Sequence, residues 1–370
     1  MKNHFKNIKT CLDKAFAEYI KDKAFTGAAI GISLFIDGNF QRMICCYGKR
    51  DESENNVDKN TLYDLASLTK PIVTVLSLLA LLEEKKIEWN EKIDSLLSVN
   101  VPKDKKKIDL ISLMSHCSGL PAHRPYYKDL IKIPPEYRKN EIINLIMRED
   151  LLYTTGQKNI YSDLGYILLG NIVEEKSGRG LDAYWQEKIS VPFLLQEKLL
   201  FPKKKGLEEE NFASTGFSSV MNKKLYGIVH DDNCRVLGGV AGHAGLFGDV
   251  EGVLAFCENI LKGYNDQLTH PFLSNDTLRA VLEKQKNSPW TLGFDTPSPS
   301  ASSSGHFFSK ESVGHLGFTG TSFWIDLERN ISVVFLTNRT FFGEDNGKLK
   351  KIRPVLHDII MKELKSNNFE

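Results

Sequence analysis

A serine and a lysine three residues apart are the first side chains in the sequence whose types and spacing could do nucleophilic chemistry. They stand in Ser67-Leu68-Thr69-Lys70, the only Ser-x-x-Lys segment of the chain. Residues three apart lie on one face of a helix, so the Lys70 amine can reach the Ser67 hydroxyl. An amine at that distance could be the base that makes the hydroxyl a nucleophile. A capping serine beside a solvated lysine would give the same pattern, so this segment alone leaves both interpretations open.

The residues after Lys70 indicate that it enters a buried helix. Pro71 is tolerated only in the first turn of a helix, which places the helix start close to Ser67. The run from Pro71 to Leu82 is apolar nearly all round, as in a helix of a protein interior. Desolvation lowers the pKa of a lysine at such a position. We therefore expect Lys70 to approach a neutral amine.

A tyrosine on a loop before a second apolar helix could be a proton-transfer group. Tyr161-Ser162-Asp163 directly precedes this helix, predicted over Leu164–Glu175. The Tyr-x-Asp pattern itself is not specific, because Tyr127-Lys128-Asp129 and Tyr264-Asn265-Asp266 match it equally. Only the first copy lies on a loop that opens a buried helix. A positive charge beside a tyrosine favours its ionised form, so Tyr161 could act as a phenolate next to Lys70.

A glycine-rich segment near the end of the chain, Gly314 to Thr321, leads into a predicted β-hairpin. Glycines at the start of a strand permit close approach of the backbone to a ligand. A backbone amide here could therefore act with the Ser67 amide as an oxyanion hole, which stabilises the charge of a tetrahedral intermediate. A structural lead-in to the strand is the alternative.

Elements from both ends of the chain must position these residues. The pattern predicts a helix over residues 4–24, strands Ala28–Ile36, Phe40–Tyr47, Thr321–Asp326 and Ile331–Thr337, helices Leu110–Met114, Leu164–Glu175 and Val250–Leu261, and a closing helix Lys348–Leu364. We predict one antiparallel sheet flanked by the terminal helices, with an inserted helical lobe. The sheet domain comprises residues 1–66 and 262–370. The mostly helical domain comprises residues 67–261, with the active site between the two.

Composition excludes several classes of function. Lysine and arginine number 48 against 47 aspartate and glutamate, so the basic footprint of a nucleic-acid binder is missing. Six cysteines without metal-site spacing indicate reduced thiols in a reducing compartment. The first 19 residues lack the apolar core of a signal peptide, and no apolar run reaches the ~20 residues of a membrane span. We expect a cytoplasmic protein without metal, cofactor or membrane span.

Together the three motifs resemble the serine penicillin-binding-protein and β-lactamase superfamily, with its S-x-x-K and K-T-G signatures. The resemblance covers nearly the whole chain and is closest to the class C β-lactamase-like hydrolases, esterases and D-amino-acid peptidases. It implies an α/β (α+β) fold of the β-lactamase/transpeptidase type. The segments that carry it are Asp64 to Pro71, Leu113 to Pro121, Tyr161 to Tyr166, Leu237 to Phe247 and His315 to Asp326.

The resemblance also implies roles in catalysis. Ser67 corresponds to the nucleophile, Lys70 to the base that activates it, and Tyr161 to the tyrosine that relays protons to the leaving group. His315-Leu316-Gly317 stands where the family has Lys-Thr-Gly.

Backbone and substrate contacts follow from the same alignment of motifs. The amides of Ser67 and Phe318 correspond to the oxyanion hole, and Asp163, Gly317 and Thr319 to substrate contacts. An alternative register places Phe318-Thr319-Gly320 on the Lys-Thr-Gly motif and moves the second donor to Thr321.

Two departures from the family pattern concern charge. Asp163 replaces the usual asparagine, and a carboxylate near Lys70 would raise the pKa of that lysine and oppose its role as a free base. His315 replaces a lysine and removes the fixed cation that would hold a β-lactam carboxylate. Both departures argue against efficient β-lactamase activity.

We predict a serine hydrolase that acts through an acyl-enzyme on a small ester, amide or peptide, of the carboxylesterase or D-amino-acid peptidase type. A β-lactamase, or a weakly catalytic penicillin-binding or sensing module, is the alternative. A helical scaffold in which Ser67 is only a cap is a third interpretation. The sequence leaves the oligomeric state open.

Other polar segments are interpreted as structural. We interpret His243-Ala244-Gly245 as a loop and the run from His230 to Asn233 as turn and cap residues, without a metal. His116 and His123 are expected near the cleft rim, with packed or hydrogen-bonded rings. The Ser/Pro-rich segment 296–305 is expected to be a mobile loop that shapes access to the site.

Overall fold

The computed structural model describes residues 2–202, 207–285, 288–344 and 347–365, with side chains from Phe5 onward. Its α-helices are α1 (Lys2–Lys21), α2 (Leu76–Glu83), α3 (Ile93–Leu96), α4 (Leu110–Met114), α5 (Tyr127–Leu130), α6 (Pro135–Arg148), α7 (Asp163–Ser177), α8 (Leu181–Trp185), α9 (Asp232–Val236), α10 (Val250–Tyr264), α11 (Asn275–Leu282) and α12 (Leu349–Lys365). Its strands are β1 (Gly27–Ile36), β2 (Asn39–Gly48), β3 (Tyr63–Asp64), β4 (Leu199–Leu200), β5 (Phe217–Ser218), β6 (Lys223–Lys224), β7 (Phe247–Gly248), β8 (Val313–Leu316), β9 (Ser322–Asp326) and β10 (Ile331–Thr337).

A five-stranded antiparallel sheet joins the two ends of the chain. Its strand order is β2-β1-β10-β9-β8. The central pair, β1 and β10, runs in register from Ala28 opposite Thr337 to Leu34 opposite Ile331. The β1–β2 turn consists of Asp37 and Gly38 with φ of 50° and 78°, the left-handed pair that a tight hairpin requires. The predicted antiparallel sheet is confirmed.

Helices cover both faces of this sheet. On one face, α1 and α12 enclose an apolar core that includes Phe16, Phe335 and Leu356. On the other face, α10 contacts β1, β9 and β10. The predicted first helix extends too far, because the chain leaves α1 at Lys21 and Lys23 takes a left-handed φ of 53°. The division of the chain into two domains stays a prediction.

The segment that carries Ser67 and Lys70 is the centre of the helical part. A 3₁₀ turn (Ala66–Leu68) is followed by a π-helical stretch (Lys70–Val75) and then by α2. Among the described helices, Ala66–Glu83 is long and apolar enough to span a membrane by length and composition alone, but 83% of it is buried inside the protein. It packs as a core helix, as its apolar pattern predicts.

A small sheet holds the start of this helix in place. Its strand order is β3-β7-β4, and Asp64 in β3 pairs with Phe247 in β7. The next residue, Leu65, donates its amide to the Leu246 carbonyl at 2.9 Å. The turn Ala66–Leu68, which carries Ser67 and which we call the nucleophile turn after the predicted role of this serine, is therefore anchored to the loop that precedes α10.

Candidate active site

The structure brings Ser67 and Lys70 into direct contact. The Lys70 Nζ lies 2.9 Å from the Ser67 Oγ. Lys70 is completely buried, whereas Ser67 is partly exposed and can be reached from solvent. The Nζ also donates to the His243 carbonyl at 3.1 Å. The segment interpreted as a structural loop around His243 is thus also a wall of the site.

The protonation state of Lys70 is set by Asp163 at the start of α7. Its Nζ lies 2.7 Å from the Asp163 Oδ1. Burial lowers the pKa of Lys70, but the charge and hydrogen bond of Asp163, with a further contribution from Tyr161, outweigh burial and leave this pKa above its ordinary value. The expectation of a nearly neutral Lys70 amine is therefore wrong, and the effect expected of Asp163 is confirmed. At neutral pH the pair is an ammonium and a carboxylate.

Tyr161 lies on the other side of the lysine. The Lys70 Nζ is 4.8 Å from the centre of the Tyr161 ring. Burial raises the pKa of Tyr161 to about 12, although the Lys70 charge and hydrogen bonding to Lys70 and Ser67 act in the opposite direction. The expectation of a phenolate is therefore wrong for the resting site. Tyr161 is a neutral phenol at neutral pH.

His116 packs against Tyr161, and its ring is packed and hydrogen-bonded as expected, but it is buried rather than placed at a rim. Its ring centre lies 4.6 Å from that of Tyr161, and its Nδ1 accepts the Ser162 amide at 3.1 Å. Burial lowers the pKa of His116, so the ring stays neutral. Trp290 packs against the same two rings and is a site residue that sequence reasoning missed.

The outer side of Asp163 faces a histidine and a second carboxylate. The Asp163 Oδ2 lies 3.5 Å from the His123 Nδ1. One group of side chains in the described part of the chain could ligate a metal ion. It consists of His123, Asp163 and Asp231, whose candidate ligand atoms lie within 4.8 Å of one another. Both carboxylates already have partners, because Asp163 pairs with Lys70 and Asp231 contacts the His243 Nε2 at 2.9 Å. The absence of a metal stays a prediction.

His315 lies on β8 and faces the tyrosine. Its ring centre is 6.0 Å from that of Tyr161, and it is 1% exposed. Burial, together with the Lys70 charge, lowers the pKa of His315 to about 3. The imidazole is therefore neutral at physiological pH, and the position supplies no cation.

The turn between β8 and β9 approaches the nucleophile segment closely. A Cβ on Gly317 would clash with the Thr321 Oγ1 and lie 2.7 Å from the Leu65 carbonyl oxygen, so only glycine fits. Phe318 is 48% exposed at the rim, and no acceptor in the described ranges takes its amide proton. Thr319 differs from the expected substrate contact, because it is buried and donates to the Asp64 carbonyl at 2.6 Å.

The Ser/Pro-rich segment 296–305 contacts α12, since the Ser303 carbonyl lies 2.7 Å from the His357 Nδ1. Its expected role in access to the site stays a prediction. Asp64 is a buried carboxylate beside the nucleophile turn that sequence reasoning did not select. Its position directly before Leu65-Ala66-Ser67 was the available signal.

Comparison with known proteins agrees with this geometry. The family model described as beta-lactamase matches residues 12–356. N-acetylmuramyl-L-alanine amidase of Bacillus subtilis (strain 168) is 31% identical over 313 residues, which cover 75% of this chain and 68% of that protein. A putative D-alanyl-D-alanine carboxypeptidase of Escherichia coli (strain K12) is 30% identical over 304 residues, which cover 75% of this chain and 69% of that protein.

Solved structures share the fold. The octameric penicillin-binding protein homologue from Pyrococcus abyssi gives a TM-score of 0.72 at 19% identity and covers 97% of this chain and 77% of its own. EstCE1, a hydrolase with promiscuous acyltransferase activity, gives a TM-score of 0.73 at 19% identity. The match covers 96% of this chain and 99% of the EstCE1 chain. These findings confirm the predicted fold and the predicted serine hydrolase that acts through an acyl-enzyme. The chain belongs to the beta-lactamase family.

Proposed function

We propose that Ser67 is the acylated nucleophile and that Lys70 and Tyr161 transfer its proton. One observation carries the proposal: the 2.9 Å contact between the Ser67 Oγ and the Lys70 Nζ. The serine is open to solvent while the lysine is sealed beneath it. A solvent-accessible nucleophile with a base within hydrogen-bond reach is the arrangement that acyl transfer requires.

In the proposed reaction, the free-amine form of Lys70 takes the Ser67 proton as the Oγ attacks a substrate carbonyl. The tetrahedral oxyanion binds the amides of Ser67 and Phe318. Its collapse expels the leaving group, which takes a proton through Tyr161, and an acyl-enzyme remains. Water then attacks the ester carbon by the reverse proton path and releases the acid. Because Asp163 favours the ammonium, only a small fraction of molecules is ready to react at neutral pH.

The position of His315 supports the first register for the Lys-Thr-Gly motif. His315 lies on strand β8 beside Tyr161, whereas Phe318-Thr319-Gly320 forms the turn after this strand. In this register Phe318 supplies the second amide of the oxyanion hole. Gly317 then permits the close approach that brings this amide to the nucleophile turn.

The proposed substrate is an ester or amide without a required carboxylate. A neutral His315 gives a β-lactam carboxylate no cation, which argues against a β-lactamase. Relatives named as an amidase and a putative D-alanyl-D-alanine carboxypeptidase favour an amide in a wall-derived peptide that contains D-amino acids. A carboxylesterase is the other form of the same chemistry.

A second candidate function rests on the Lys70–Asp163 pair. A lysine held as an ammonium is a poor base, so the chain could bind penicillin-like or peptide ligands and turn them over weakly, as a sensing module. The two candidates share the same chemical steps and differ in the rates of these steps. Measured turnover therefore separates them.

We also propose a cytoplasmic location. Cys11, Cys45, Cys46, Cys117 and Cys257 are free thiols, and Cys45 and Cys257 among them are buried. Free thiols suit a reducing compartment. In that compartment, wall fragments would reach the enzyme after uptake.

The decisive experiment combines covalent labelling with turnover. Intact mass after treatment with a fluorophosphonate will show one adduct per chain, and Ser67→Ala will show none. An adduct that accumulates with a penicillin or with p-nitrophenyl acetate will mark slow deacylation and favour the second candidate. A panel of esters and D-amino-acid peptides then identifies the acyl group. Wild-type turnover by Ser67→Ala on every substrate would falsify the proposed function.

A further inference from the structure

Asp64 is a buried carboxylate outside the proposed proton path, and it binds three separate segments of the site. It is 1% exposed. Its Oδ1 accepts the Ala66 amide at 2.9 Å and its Oδ2 accepts the His230 amide at 2.7 Å. Its backbone carbonyl accepts the Thr319 hydroxyl at 2.6 Å. One residue thus joins the nucleophile turn, the loop before α9 and the turn after β8.

The bond to Ala66 holds an unfavourable backbone conformation. Ala66 has a φ of 47°, in the left-handed region that non-glycine residues rarely adopt. Its amide is held by Asp64, and its carbonyl accepts the Thr69 hydroxyl at 2.6 Å. Strained residues persist only where their surroundings fix them, often at functional sites. The next residue is Ser67, so this conformation directs the Ser67 amide.

The bond to Thr319 fixes the other side of the oxyanion hole. Thr319 directly follows Phe318, and its hydroxyl is committed to the Asp64 carbonyl. We propose that Asp64 is a positioning residue that sets the separation of the Ser67 and Phe318 amides. This inference rests on the proposed function, in which these two amides bind the oxyanion.

The chemistry of the side chain matters as much as its place. A carboxylate offers two acceptor oxygens and can take both amide protons. An asparagine offers one oxygen and turns an N–H group toward one of the two donors. The bond to Ala66 or the bond to His230 is then lost. An oxyanion hole acts on charge that develops only in the transition state, so its misalignment lowers kcat and leaves KM nearly unchanged.

The test uses Asp64→Asn, Ala66→Gly and the double variant, with a p-nitrophenyl ester as substrate. We expect Asp64→Asn to lower kcat by about 100-fold with KM within about threefold of wild type. Ala66→Gly alone will stay close to wild type. The double variant will regain about tenfold of the lost kcat, because glycine adopts a positive φ without the support of Asp64.

Asp326→Asn is the matched control. Asp326 is also a buried aspartate that accepts two backbone amides, from Ser309 and Arg329, but it lies at the end of β9 away from the nucleophile. We expect this variant to lower the melting temperature and to keep kcat per mole of folded protein. A purely structural role of Asp64 would give the same result for both variants.

The outcomes separate this inference from the proposed function. If Asp64→Asn keeps the wild-type kcat while Ser67→Ala is inactive, the positioning role is overturned and the nucleophile stands. If Ser67→Ala is also active, the proposed function fails first. If Asp64→Asn does not fold, Thr319→Val decides: about a tenfold loss of kcat at constant KM supports the inference, and an unchanged kcat overturns it.

Discussion

The Lys70 Nζ lies 2.7 Å from the Asp163 Oδ1 and only 2.9 Å from the Ser67 Oγ, so one ammonium is shared by a carboxylate and the nucleophile. Burial alone would favour a neutral amine, but a charge this close outweighs it and raises the pKa of Lys70. In the resting site Lys70 is therefore protonated. Its activity depends on the fraction of molecules in which the amine is free.

The first prediction concerns pH and Asp163. We expect kcat/KM for a neutral ester to rise by about tenfold per pH unit from about pH 6 to 9, because the free-amine fraction rises by that factor below the pKa of Lys70. Asp163→Asn removes the charge that raises this pKa. The whole rise then moves to lower pH, and activity at pH 7 increases.

Asp231→Asn is the control for this change. Asp231 lies in the same cluster but contacts His243 instead of Lys70, so its variant should keep the wild-type pH profile. An Asp163→Asn profile with the wild-type midpoint would show that Asp163 does not set the protonation of Lys70.

The second prediction compares two tyrosines that flank the same ammonium. The rings of Tyr161 and Tyr166 lie 4.8 Å and 5.6 Å from the Lys70 Nζ. Tyr161→Phe keeps the packing against His116 but removes the proton relay, so kcat should fall by about 100-fold or more. Tyr166→Phe removes only a hydrogen bond to the Met114 carbonyl. It should cost about 1 kcal/mol of stability and little kcat. Equal losses of kcat in both variants would contradict the relay.

The sequence predicts the sheet and the three motifs well because these depend on local patterns. The nearly continuous apolar runs of β1 and β10 indicate buried strands, and the Asp37-Gly38 turn specifies the β1–β2 hairpin, without knowledge of the rest of the chain. The direction of the Lys70 pKa shift could not be predicted from the sequence. Burial lowers this pKa and Asp163 raises it, and the balance depends on the distance between the Lys70 Nζ and the Asp163 Oδ1, which the sequence does not give. The position of Asp64 two residues before Ala66 was visible in the sequence, but its bonds to His230 and Thr319 were not, because these partners lie far from it along the chain.

The third prediction concerns stability and His357, far from the catalytic residues. This imidazole is buried, and its environment lowers its pKa to about 4. In the unfolded chain the pKa is about 6.5, so between these values the unfolded state binds more protons and stability falls as the pH falls. Urea unfolding at pH 7.5 and 5.5 should show that the wild type loses about 1.4 kcal/mol more than His357→Gln. If the free energy of unfolding falls equally in both proteins between these pH values, protonation of His357 is not linked to unfolding.

The last prediction uses Gly317 to move the two halves of the oxyanion hole apart. A Cβ there would clash with the Thr321 Oγ1 and press on the Leu65 carbonyl, two residues before Ser67. Gly317→Ala should therefore lower kcat by about 100-fold, because small displacements at a reacting centre are costly. Gly347→Ala is the matched control, since a Cβ there meets no atom of the described residues within 4 Å. If Gly317→Ala keeps the wild-type kcat while its melting temperature falls, the strand has moved without consequence for the reaction, and the Phe318 amide does not bind the oxyanion.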